Sequence, residues 1–94
     1  ATGSGRAGIG IIRISGPAVP DICRRITGHK LKARFARYGS FVDGADQPID
    51  EGIALRFEAP NSFTGEHVLE LQGHGGPVVL NLLLRRVIEL GARH

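Results

Sequence analysis

Two lone charges of opposite sign stand inside runs of apolar, strand-forming residues: Arg13 within GIGIIRISG (Gly8–Gly16) and Glu70 within EHVLELQGHGG (Glu66–Gly76). An ionised carboxylate accepts two parallel hydrogen bonds, which matches the adjacent N–H donors on the edge of an aminopyrimidine ring such as a pterin or guanine. A guanidinium offers planar donors to a carbonyl or carboxylate on the same ligand, or stacks on a flat ring. Leaving either charge unpaired among apolar neighbours costs several kcal/mol, so each must pair, line a wet cleft or meet a ligand. Two readings follow: a cleft in which both groups hold a ligand, or an Arg13–Glu70 ion pair with none. Neither needs catalysis.

Other chemistry-bearing patterns are weaker. Gly3, Gly5 and Gly8 spell G-x-G-x-x-G in GSGRAG, but a dinucleotide fingerprint needs a strand before it and a helix after it, and here a strand follows. The sequence contains no G-x-x-x-x-G-K-[ST] phosphate loop. His29, His67, His74, His94 and the single cysteine, Cys23, lack the spacing of metal ligands. His74, between two glycines just ahead of a helix start, either helps bind an anion or sits in a turn that lets strand and helix approach. Cys23 falls on an apolar helical stripe and reads as a core residue.

The elements that must position these groups are legible from periodicity. Alternation over Gly8–Ser15 puts Ile9, Ile11, Arg13 and Ser15 on one face and Gly10, Ile12 and Ile14 on the other. Gly16, Pro17 and Pro20 turn the chain into a helix whose stripe is Val19, Ile22, Cys23 and Ile26, ending at Gly28. A second strand over Phe35–Val42 and a third carrying Ile49, Ile53, Leu55 and Phe57 flank the turn DGADQP (Asp43–Pro48), which predicts a hairpin. In the third strand those apolar residues are expected to face the core, with Asp50, Arg56 and Glu58 on the wet side. After the loop Ala59–Glu66, a strand Val68–Gln72 sets Val68, Glu70 and Gln72 opposite Leu69 and Leu71. A last helix, about Pro77–Leu90, is apolar around most of its circumference, so it is expected to be buried on more than one side, partly against another subunit or further chain. The order is βαβββα, an α+β domain with a mixed or antiparallel sheet and two helices.

Composition sets bounds. Ninety-four residues with 41% hydrophobic and 22% charged residues make one small globular domain with a thin core, and no apolar run approaches the ~20 residues of a membrane span. One cysteine fits a reducing compartment, the opening ATGSGRAG has no secretory core, and the lack of methionine suggests a processed start or a longer parent chain. The net charge of +3 is segregated: Arg24, Arg25, Lys30, Lys32, Arg34 and Arg37 form an acid-free stretch, whereas Asp43–Glu70 holds seven of the nine acids and only Arg56 as a base. That basic strip is either a solvated surface or a phosphate-attracting one.

Three segments together, GRAGIGIIRISG (Gly5–Gly16), DEGIALRF (Asp50–Phe57) and APNSFTGEHVLELQGHGGPVVLNLLLRR (Ala59–Arg86), resemble the N-terminal domain of the bacterial tRNA-modification GTPase family MnmE, also called TrmE. The resemblance implies a fold like the tetrahydrofolate-binding fold of the glycine-cleavage aminomethyltransferase, a homodimer, and binding of 5-formyltetrahydrofolate or a related one-carbon tetrahydrofolate. Matched by motif, the family's folate contacts within this stretch are Arg13, of IIRISG, and Glu70, of VLELQ. It further implies a cytoplasmic GTP-hydrolysing parent, not membrane-bound, that with a flavin-dependent partner protein installs a carboxymethylaminomethyl or aminomethyl group at C5 of the wobble uridine of tRNA. The family's helical domain, its GTPase domain with GTP, potassium and magnesium, a further folate-contacting lysine and a cysteine motif correspond to positions after His94, and its first strand to positions before Ala1. Residues 1–94 are accordingly expected to be a single folate-binding and dimerisation domain without catalytic residues of its own. The alternative is a tRNA-binding module that uses the Arg24–Arg37 strip and no small ligand.

Overall fold

A computed structural model describes residues 9–62 and 64–92. Gly3, Gly5 and Gly8 of the glycine pattern, and His94, lie outside the described residues. The elements are β1 (Ile9–Ser15), α1 (Val19–Thr27), β2 (Arg37–Val42), β3 (Pro48–Phe57), β4 (Val68–His74) and α2 (Pro77–Glu89). The four strands form one antiparallel sheet in the order β1-β4-β3-β2, which resolves the mixed-or-antiparallel alternative and confirms the βαβββα order of an α+β fold.

Local chemistry accounts for most boundaries. Proline occupies the first turn of each helix, where its missing N–H has no partner to lose. Helix α1 stops at Gly28, whose φ of 76° suits a residue without Cβ and lets its N–H close on the carbonyl of Arg24. In the β2–β3 hairpin, Asp43 Oδ1 accepts the backbone N–H groups of Ala45 at 2.8 Å and Gln47 at 3.0 Å, an aspartate-led turn that closes the expected hairpin.

Both helices lie on one face of the sheet. Their stripes, Val19, Ile22, Cys23 and Ile26 from α1 and Leu83 and Val87 from α2, join Ile14, Phe41, Ala54, Leu69 and Leu71 of the strands in a single core with Leu31. The α1 stripe is therefore the one the periodicity predicts, and Cys23 is an ordinary buried core residue. Within this chain helix α2 buries only Leu83 and Val87 fully, while Val78, Leu82, Leu84 and Ile88 are exposed, the apolar surface for which another subunit or further chain is expected.

Ile49 packs against the core as expected, but from Ile53 to Phe57 the polarity expected of β3 is inverted. Its register with β4 sets Ile53 against Gln72, Leu55 against Glu70 and Phe57 against Val68, so these apolar residues share the face of Glu70, away from the helices. The covered face instead carries Gly52, Ala54 and Arg56. Apolar alternation reads as inward only when one face alone is apolar, and this sheet is apolar on both. Arg56 is buried because its Nε and Nη2 donate to the carbonyl of Leu31 at 3.1 and 3.0 Å, with Glu58 at 3.4 Å from Nη1, which ties the loop after α1 to the sheet.

Gly52 marks the tightest strand contact, since a Cβ there would run into the backbone carbonyl of Gln72, whereas one on Gly39, its partner across the hairpin, would meet open space. We expect Gly52→Ala to lower the unfolding free energy by about 1–3 kcal/mol through forced backbone displacement, and Gly39→Ala to stay within about 0.5 kcal/mol of the parent. Urea unfolding of both variants checks this; equal midpoints would refute the close approach.

Candidate functional site

Arg13 and Glu70 are direct cross-strand partners, because antiparallel β1 and β4 align them and side chains opposite one another point to the same face. The guanidinium donates from Nη2 at 2.8 Å and from Nε at 3.1 Å, both to Oε2 of Glu70. The other carboxylate oxygen, Oε1, accepts the amide N–H of Gln72 at 2.7 Å. Glu70 lies on an inner strand, with β3 on its other side, and its side chain is only 9% exposed, whereas that of Arg13 is 49% exposed. Arg13 and Glu70 are thus ion-paired, and one member of the pair is half in solvent.

An ionised carboxylate offers about four lone-pair positions. Three are taken by the described partners, both on Oε2 and one on Oε1. The site can accept one more donor as it stands, or two if the half-exposed Arg13 or Gln72 swings aside. Burial pushes the Glu70 carboxyl up, but hydrogen bonds from Arg13 and Gln72, together with the guanidinium charge, hold it below its ordinary 4.5. It is an anion at neutral pH.

The rest of this face is an uncovered sheet surface. Ile9, Ile11, Tyr38 and Ile53 are exposed on it, and Leu55 and Phe57 are half-buried beside Glu70. At one end the loop of the PNSFTGE segment is stapled to β1, Ser15 Oγ meeting Thr64 Oγ1 at 2.7 Å and donating to Glu66 Oε2 at 3.0 Å. At the other end a hollow of about 290 Å³ is lined by Ile9, Tyr38, Glu51, Ile53, Gln72 and His74 together with Gly52 and Gly73. Gln72 thus belongs both to the carboxylate's hydrogen-bond shell and to the wall of the hollow.

His74 has a defined partner. Its Nδ1 lies 2.6 Å from Asp50 Oδ1 and its backbone N–H donates to Asp50 Oδ2 at 2.8 Å, with the Asp50 side chain buried and the ring exposed. A Cβ on Gly73 would collide with that carboxylate, so this glycine lets β4 approach the Asp50 side chain of β3. Burial pushes Asp50 up as well, yet the bonds from His74 and Glu51 outweigh it and leave the carboxyl below its ordinary range. The roles of Gln72 and Asp50 were missed in the sequence. Gln72 carried a usable signal, two residues from Glu70 on one strand face; Asp50, expected on the wet side, carried none. Among the described residues no cluster of three or more His, Cys, Asp or Glu could hold a metal ion.

Fold and charge pair together define a two-layer α+β domain with helices on one sheet face and, on the other, a guanidinium–carboxylate pair set in an open apolar surface. The whole chain, residues 1–94, matches the family described as GTP-binding protein TrmE N-terminus, and it belongs to that family. It is similar to proteins named tRNA modification GTPase MnmE: 62% identical over 93 residues to that of Pseudomonas syringae pv. syringae and to that of Pseudomonas aeruginosa strain UCBPP-PA14, and 59% to that of Pseudomonas fluorescens strain Pf0-1. Each comparison covers 99% of this chain and 20% of the relative, so the chain spans about a fifth of the length of the curated relatives it matches.

A carboxyl held below its unfolded value contributes stability that is complete above about pH 4.5 and is lost as pH falls through the folded value. We therefore expect the parent chain to lose more stability between pH 7 and pH 3 than Glu70→Gln does. Paired urea titrations measure the difference; identical losses would mean that the pair contributes nothing.

Proposed function

We propose that this chain is the folate-binding, dimerising N-terminal domain of a GTPase that modifies C5 of the wobble uridine in tRNA. The family supports the GTPase and tRNA assignment, since the relatives are named tRNA modification GTPases. The reading for this domain rests on one observation: an ionised carboxylate on an inner strand of an uncovered sheet face, with a guanidinium beside it that is half in solvent.

The residues fit a reduced pterin. Glu70 Oε1 keeps one acceptor position, and release of an Arg13 bond from Oε2 opens the second that an aminopyrimidine edge requires. Arg13, once turned outward, offers planar donors to a carbonyl or carboxylate of the same ligand. Leu55 and Phe57 supply apolar surface for the ring, and the hollow beyond Gln72 leaves room for the remainder. When bound, 5-formyltetrahydrofolate or a related one-carbon folate supplies the one-carbon unit of the modification. This domain binds and orients it; Arg13 and Glu70 move no proton in that role.

A second copy of the chain is the proposed cover for the apolar residues around the pair, so that dimerisation completes the pocket. The parent protein would act in the cytoplasm, with GTP, potassium and magnesium at its GTPase domain and with a flavin-dependent partner protein on tRNA. No helix among the described residues is long and apolar enough to cross a membrane.

Titration of the chain with 5-formyltetrahydrofolate, with molecular mass followed by light scattering, tests ligand and assembly together. We expect binding by a dimer, and Glu70→Gln to weaken it about ten- to a hundredfold, the equivalent of about 1.5–3 kcal/mol for a hydrogen bond to a charged group, with an unchanged circular-dichroism spectrum. Unaltered affinity in that variant would sink the assignment of the site.

A further inference from the structure

A second surface, away from Glu70, has the chemistry of a nucleic-acid track. The acid-free stretch noted in the sequence is divided by the fold. Arg24 and Arg25 share the single carboxylate of Asp21 on α1, which lies 2.8 Å from Arg24 Nη2 and 3.0 Å from Arg25 Nε. The later bases, Lys30, Lys32, Arg34 and Arg37, gather in the segment between α1 and β2 and at the start of β2 itself, and no acidic residue occurs between Asp21 and Asp43.

Two aromatic rings stand among these cations. Phe35 is 58% exposed and Tyr38 is 68% exposed, and Lys32 Nζ lies 4.4 Å from the centre of the Phe35 ring. Arg37 Nη2 meets His29 Nε2 at 3.0 Å, a bridge that separates two hollows while lining both. The first, about 340 Å³, is walled by Lys30, Lys32 and Phe35 and contains no acidic residue. The second, about 360 Å³, runs along β2 past Tyr38 and Ser40, with Asp46 among its lining residues.

We propose that this double hollow holds a short single-stranded segment of RNA, its phosphates on Lys30, Lys32 and Arg37 and its bases stacked on Phe35 and Tyr38. Surfaces that bind single strands combine a cationic groove with exposed aromatic faces, and stacking tolerates any base sequence. Charged residues also guard exposed edge strands, which would account for Arg37 on β2 but not for two solvent-facing rings. An anionic membrane would use the cations and leave the hollows unused. Only the choice of RNA over DNA rests on the function proposed above; the surface adjoins the hollow beside Gln72 at Tyr38, which lines both, and shares no other residue with it.

The test is fluorescence anisotropy of the full-length protein with a short labelled single-stranded oligoribonucleotide, its duplex form, and phosphatidylserine vesicles as competitor. Phe35→Ala and Tyr38→Ala should each weaken binding of the single strand by about five- to a hundredfold. Lys32→Ala should reduce the slope of log affinity against log salt by about 0.7, one phosphate's share. All three side chains are exposed, so thermal melts should match the parent. Undiminished RNA affinity in both aromatic variants, equal preference for duplex, or displacement by vesicles would each overturn the proposal. Folate titration of Phe35→Ala and Lys32→Ala should be unchanged, and Glu70→Gln should retain RNA binding, so a failure at one site is distinguishable from a failure at the other; Tyr38, which also lines the hollow beside Gln72, is left out of that comparison.

Discussion

A carboxylate on an inner strand of a small sheet must be satisfied in place, and the arrangement of this domain follows from how that is done. Glu70 cannot reach far along the surface from β4, so its partners come from positions that the ladder brings beside it: Arg13 opposite on β1 and Gln72 two residues on. Pairing through the register makes the interaction depend on the whole sheet. A slip of one residue between β1 and β4 would turn Arg13 to the helix side and leave an anion among apolar neighbours, a cost of several kcal/mol that favours a single register.

That constraint divides the sheet into two unlike faces. The covered side is closed by α1 and α2 over aliphatic residues, Ala54 and Phe41, with Gly52 permitting close approach of β4 and Arg56 capped by a main-chain carbonyl. The open side keeps isoleucines, Tyr38 and the half-buried Phe57 around the charge pair. Apolar surface of this extent on a chain of 94 residues is an interaction surface in waiting, and a flat ligand beneath a second subunit would both cover it and use the carboxylate's remaining acceptor position. Strength and access thereby reside in different members of one pair, since Glu70 is sheltered and Arg13 can turn away.

The distribution of charge follows the same separation. Acids are concentrated from the β2–β3 hairpin to Glu70, where several act as local structural acceptors, as Asp43 does in its turn and Asp50 at His74. Bases are concentrated before β2, beside exposed rings. On the proposed reading, meeting a small heterocycle and a polyanion, the domain gains from keeping the two fields apart, because each would otherwise compete for the other's counter-charge.

Much of this was legible without coordinates. The isoleucine alternation of β1, the stripe of α1 with its glycine stop, the Asp43 turn and the isolation of Arg13 and Glu70 all arise from local periodicity and local hydrogen bonding, which a chain carries in its residue order. Tertiary structure alone decided which strands became neighbours, and therefore that Arg13 and Glu70, 57 positions apart, bond directly. It also decided that Ile53, Leu55 and Phe57 face outward, that Arg56 is buried and that Asp50 clamps His74. The reason is physical: alternation specifies that two faces differ, but only the packing of helices against one of them determines which is inside.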